Sequence, residues 1–142
     1  YQALKPRILG VDFGDARTGL AVSDTLGMLA NGIGYVNSTY IVKTADLVAE
    51  KAKEYKVEKI IVGLPVNMNG TEGPRAEHAR EFASLLAERV GEIPIEMVDE
   101  RCSTMAAHQI LNMTDTRGKK RKAAVDTLSA EIILQNYLDS HR

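Results

Sequence analysis

The chain has 142 residues, 44% hydrophobic and 26% charged, which is the size and balance of one globular domain spanning 1–142. A single cysteine, Cys102, excludes an internal disulfide framework and fits a reducing, cytoplasmic setting. No apolar run approaches the ~18 residues of a membrane span and no charged-then-apolar leader opens the chain, so neither a membrane nor a secreted protein is expected.

Eighteen basic and nineteen acidic residues nearly cancel to −1, but they are unevenly spread. Arg117, Lys119, Lys120, Arg121 and Lys122 crowd into six positions, and without them the remaining chain would carry −6. A mildly acidic body with one basic patch suits a local contact with phosphate, although such runs are often only solvated surface.

In chain order, the first third alternates short apolar runs with turn residues. Ile8–Phe13, Gly19–Ser23 and Met28–Val36 read as strands, punctuated by Gly14-Asp15 and Leu26-Gly27, so antiparallel hairpins are expected. After Asn37 the period changes to that of a helix, from Ile41 to Tyr55. Lys59–Leu64 is a buried strand stopped by Pro65, and a polar loop runs through Gly73. Pro74 suits the first turn of a helix ending near Val90. Ile93–Val98 is a further strand. Ser103 or Thr104 can cap a helix to about Leu111, and a last helix covers Lys119 to Leu138. Strand and helix alternate in the second half, which implies right-handed crossovers and parallel strands. The expected fold is α/β: a mixed sheet of about five strands, three antiparallel and then parallel, with helices on its faces.

Three acids stand in unusual places. Asp12 interrupts the first apolar run at its end, where an ionised carboxylate is costly unless something positive meets it; the bland alternative is a turn aspartate bonded to backbone. Asp99 and Glu100 follow the strand Ile93–Val98, at the carboxyl end where α/β sheets place ligands, and at most one of them shares the face of Asp12. Asp126 lies in the last helix. At 100° per residue, Ala123, Ala130, Ile133 and Tyr137 all fall within about 60° of it, so it sits mid-way in the apolar arc. A structural aspartate there needs a specific donor. Carboxylates about 4 Å apart repel by ~4 kcal/mol at an effective dielectric of 20, so a cluster of three takes up protons or binds a cation. Oxygen ligands point to Mg²⁺ or Mn²⁺, since His78, His108 and His141 lack metal-ligand spacing. Two such ions beside a basic patch suit phosphodiester cleavage.

The segments Gly10–Gly14 (GVDFG), Ile60–Pro65 (IIVGLP), Asn67–Gly73 (NMNGTEG), Asp99–Thr104 (DERCST) and Lys122–Ala130 (KAAVDTLSA) resemble, in order, the YqgF (RuvX) family. The resemblance runs from about Ile8 to Leu138. It implies an RNase H-like fold similar to that of RuvC-type Holliday junction resolvases. It implies a nuclease that matures the 5′ end of pre-16S ribosomal RNA, or else a resolvase of four-way DNA. It also implies that Asp12, Glu100 and Asp126 are the catalytic, metal-binding acids. Cys102 departs from the pattern, where a larger apolar residue is usual.

The leading expectation is therefore a metal-dependent nuclease using two Mg²⁺ or Mn²⁺ ions. Arg117, Lys119, Lys120, Arg121 and Lys122, with Arg17 and Arg101, would grip the nucleic-acid backbone. Its partners would be structured RNA or branched DNA and ribosomal precursor particles, and the chain would act as a monomer or a homodimer. Glu72 is the one acid of the 63–73 loop, and the helix start at Pro74 and Arg75 is a candidate phosphate contact. Two other classes fit the sequence less well. A nucleotide-binding domain of the actin and sugar-kinase type is suggested only by Asp12-Phe13-Gly14, and such proteins need two domains. A non-catalytic nucleic-acid-binding module gains nothing from mutually repelling carboxylates.

Overall fold

In the computed structural model, residues 7–14, 16–24, 29–65, 70–99 and 118–140 are described, without the side chains of 99, 118–127 and 140. Five strands form one sheet: β1 (Ile8–Asp12), β2 (Arg17–Ser23), β3 (Ala30–Asn37), β4 (Lys59–Leu64) and β5 (Ile95–Asp99). Three helices accompany them: α1 (Ile41–Glu54), α2 (Pro74–Val90) and α3 (Gly118–Ser140). The strand order is β3-β2-β1-β4-β5. β1–β2 and β2–β3 are antiparallel, whereas β1–β4 and β4–β5 are parallel. β1 and β4 are therefore the interior strands of the parallel part, which is why both are almost wholly apolar.

Alternation along the strands divides the core in two. Leu9, Val11, Leu20, Val22, Ile60, Val62 and Leu64 face α1 and α2, and Phe82 of α2 stacks on Phe13 at 4.7 Å between centroids. On the opposite face, Ala21 and Ile61 pack with Ala130, Ile133, Leu134, Tyr137 and Leu138 of α3. Gly10 is what lets α3 lie so close: a Cβ there would stand 2.8 Å from the Leu134 Cβ and 3.3 Å from the Ala130 carbonyl oxygen.

α3 runs against β1. Leu134 lies over Gly10, while Tyr137, one turn later, accepts a hydrogen bond from Lys59, the register partner of Ile8. Its polar flank closes the sheet edge. The Ala30 N–H donates to Gln135 Oε1 and the Gly32 N–H to Glu131 Oε1, both at 2.9 Å. The outer edge of β3 is thereby occupied by helix side chains, as exposed edges generally require.

The predicted elements agree with these within a few residues. β2 begins at Arg17, earlier than Gly19, and β5 begins at Ile95, because Pro94 has no N–H for the ladder and gives only its carbonyl, to Ile60 N–H. Asp99 is the last residue of β5 and not a residue beyond it. The pairing of β2 with β3 slips between Leu20 and Ala21, leaving Ile33 as the extra residue next to Gly34 at φ +107°. The helix expected from Ser103 or Thr104 to Leu111 lies outside the described residues. No helix among the described residues is long and apolar enough to cross a membrane.

Candidate active-site edge of the sheet

β1, β3, β4 and β5 all end at the same edge of the sheet, and Asp12 is the last residue of β1 there. Leu9 and Val11 face α1 and α2, so Ile8, Gly10 and Asp12 belong to the α3 face. The partner of Asp12 on β2 is Gly19. On β4, the offset that joins Val11 to Val62 puts Gly63 level with Asp12. Asp12 thus stands between two strand residues without side chains. Sequence reasoning did not single out Gly19 or Gly63. Their signal was there, since an isolated glycine within a strand marks close approach of a ligand or another backbone.

Directly after Asp12 the chain turns sharply. A Cβ on Gly14 would lie 2.2 Å from the Arg17 carbonyl oxygen, so only glycine fits. The Gly14 N–H donates to Thr18 Oγ1 at 3.4 Å, and Thr18 is fully buried. This turn brings Arg17 back onto the α3 face, two residues from Gly19 along β2. Of the expected nucleic-acid contacts, Arg17 is therefore on the face and edge of Asp12.

The remaining candidates are divided. Asp126, Lys119, Lys120, Arg121 and Lys122 are positions of α3, and their side chains lie outside the described ones. Glu100, Arg101 and Arg117 lie outside the described residues. Glu72 is held at the foot of α2, where Arg80 Nε and Nη2 donate to its two oxygens at 2.8 and 2.9 Å. That pairing keeps its carboxyl below the usual range, so it is engaged structurally rather than offered to a substrate.

Among the described residues no three of His, Cys, Asp and Glu form a metal-binding group. What they do show fits an oxygen-bound cation. Asp12 is glycine-flanked, and Ser129 on α3 is 1% exposed with an Oγ that has no hydrogen-bond partner. Ser129 lies about 200° around the helix from Glu131, which reaches β3, so it is on the flank away from that strand. A buried hydroxyl without a partner is uncommon, and it lies one turn along the helix from position 126.

Known proteins carry the same plan. The chain is 44% identical over 134 residues to a protein of Ruminiclostridium cellulolyticum named "Putative pre-16S rRNA nuclease", covering 94% of each. It is 46% identical over 136 residues to one of the same name from Bacillus cytotoxicus, covering 94% of this chain and 98% of the relative. Among solved structures, Thermus thermophilus RuvC in complex with a Holliday junction substrate superposes with a TM-score of 0.61 at 15% identity, covering 96% of each chain. The fowlpox virus resolvase in complex with Holliday junction DNA gives 0.58 at 12% identity, over 95% of this chain and 98% of that one. At such identities the structures show the fold, which is RNase H-like. The family model described as "RuvX: Holliday junction resolvase" matches residues 6–140, and the chain belongs to that family.

Proposed function

We propose that this protein is a metal-dependent nuclease that hydrolyses phosphodiester bonds in nucleic acid. Its task, by the name its relatives carry, is cleavage of pre-16S ribosomal RNA, and by the family resemblance the cut matures the 5′ end. Asp12, Glu100 and Asp126 are its metal ligands and catalytic residues, and residues 1–142 work as one domain.

The observation that carries this reading is the antiparallel course of α3 over β1. Gly10 is level with residues 130–134 of the helix. Two strand residues further on, about 6.6 Å, correspond to four helical residues, about 6 Å. That step sets Asp12 level with positions 126–130, and position 126 continues the row of Ala130, Ile133 and Tyr137 that is buried against the sheet. β5 supports the third ligand. Val98 packs on the α3 side with Ile61, and Gly63 is its register partner, so β5 ends at the level of Asp12, one residue before Glu100 in the sequence.

Asp12, Glu100 and Asp126 would together hold Mg²⁺ or Mn²⁺, two ions in this proposal. When bound, the ions supply an activated water and stabilise the attacking and leaving oxygens of an in-line displacement. The chain contributes the rest. Gly19 and Gly63 leave room for a phosphate beside Asp12. Arg17, Arg101 and the run Arg117, Lys119, Lys120, Arg121 and Lys122 hold the backbone and set its register.

The test compares a ribosomal precursor with a four-way DNA junction, the substrate in the family's description, under Mg²⁺, Mn²⁺ or EDTA. Cleavage of the precursor should require the metal. Asp12→Asn and Asp126→Asn should each lower it by more than about a hundredfold, since loss of even an outer partner of a metal ligand costs 10–100-fold. Their melting temperatures should stay near that of the wild type. Cleavage by both variants at the wild-type rate removes the site; cutting of the junction alone transfers the activity to branched DNA.

A further inference from the structure

We propose that Tyr35 forms a base-stacking subsite beside Asp12 that takes an unpaired nucleobase of the substrate strand. The inference rests on the nuclease reading above and adds to it the state of the strand at the cut. Asp12 pairs with Gly19, and Gly19 pairs with Tyr35. Residues directly opposite in antiparallel strands present their side chains on one face, so Asp12 and Tyr35 share the α3 face with only a glycine between them. Two strand spacings separate them, about 10 Å, or about three nucleotide rises of ~3.4 Å.

Besides Tyr35, Tyr40 at the start of α1 and outside the strands is exposed, whereas the other rings of the two sheet faces are packed. Phe13 and Phe82 stack on each other inside the larger core, and Tyr137 is 8% exposed beneath α3. Tyr35 is 43% exposed although its strand neighbour Val36 is buried. Among the described side chains, the helix reaches the outer edge of β3 at Ala30 and Gly32, through Gln135 and Glu131. The slip at Ile33 and Gly34 separates those residues from Tyr35. Arg17 completes the subsite. It lies on the same face of β2, diagonal to Tyr35 and opposite Asn37, and can hold the phosphate of the nucleotide whose base meets the ring. Stacking on an aromatic ring tolerates any base, but it requires that base to leave its own stack. The strand is therefore single-stranded or locally opened within about three nucleotides of the scissile phosphate.

The test uses the full chain carrying Asp12→Asn, so that bound strands stay intact. Oligonucleotides carry 2-aminopurine at each of the three positions on either side of the cut. One position should be quenched on binding. Tyr35→Phe should keep that quenching, while Tyr35→Ala and Tyr35→Leu should lose it and bind about tenfold more weakly. An abasic nucleotide at the quenched position should erase the difference between the ring-bearing and ringless variants. Equal affinity and quenching with and without the ring overturns the subsite, as does a Tyr35→Phe loss as large as that of Tyr35→Ala. Wild-type cutting that is indifferent to Tyr35→Ala removes the subsite and leaves the nuclease standing. Tyr35-dependent quenching in a protein that cuts nothing under Mg²⁺ or Mn²⁺ keeps the subsite and removes the nuclease.

Discussion

Glycines do as much at the edge of this sheet as the acids. Gly14 tolerates no side chain, because the Arg17 carbonyl oxygen stands 2.2 Å from where a Cβ would be. Gly14→Ala must therefore move backbone, and we expect a loss of about 1–3 kcal/mol, the usual range for overpacking, measured by urea unfolding. Arg17 would leave its place with that turn, so weaker nucleic-acid binding should accompany the loss. Gly10→Ala acts elsewhere. It presses on the Leu134 Cβ and the Ala130 carbonyl, and so lifts α3 from β1. Its signature should be a drop in cleavage larger than the drop in stability explains, because even a small shift parts the two elements proposed to carry the metal ligands. Equal stability and cleavage in Gly10→Ala would show that α3 does not set the spacing of the site. Asp12 itself was legible from the sequence as a charge ending an apolar run. The glycines flanking it were not, since Gly19 and Gly63 become its neighbours only through strand register.

At the scale of elements, α3 is fastened at its far end by Lys59. The ammonium donates to the Tyr137 hydroxyl and lies 3.2 Å from Glu96 Oε2. The Tyr137 hydrogen bond, and then Glu96, hold Lys59 above its ordinary range against the opposing effect of burial. A raised lysine stabilises the fold fully below its unfolded value of 10.5 and loses that contribution as pH climbs through the folded value. Lys59→Met should therefore cost about 1 kcal/mol at neutral pH. The gap to the wild type should close only above pH 10.5, as thermal melts across an alkaline series will show. The edge contacts make a separate prediction. Glu131→Ala with Gln135→Ala strips the acceptors from Ala30 and Gly32 N–H groups, so amide exchange should accelerate along β3 while β4 and β5 stay protected. The order of strands and helices followed from period and turn residues alone. The bulge did not, because Gly32-Ile33-Gly34 marks an irregularity without saying which residue drops out of the ladder. Nor could the sequence show that Glu131 and Gln135, polar positions on a helix flank, would bind strand edge amides: that contact spans about a hundred residues.

Over the whole molecule, charge is nearly balanced but locally sorted, with the run from Arg117 to Lys122 leading into the first turn of α3. If that run grips phosphates, replacing Lys119, Lys120, Arg121 and Lys122 by Gln should flatten the salt dependence of binding. Each lost contact changes the slope of log K against log salt by about 0.7 for a single strand. An unchanged slope in filter-binding titrations would place the run away from the nucleic acid. Among the described residues, the five-strand sheet and its larger core draw on the chain up to residue 99, whereas the face of Asp12 is covered by residues 130–138. A growing polypeptide therefore makes all five strands before the helix that covers the Asp12 face. Order of synthesis thus separates the two halves of the proposed site: the strand that carries Asp12 is made first, and the helix that carries Asp126 comes more than a hundred residues later.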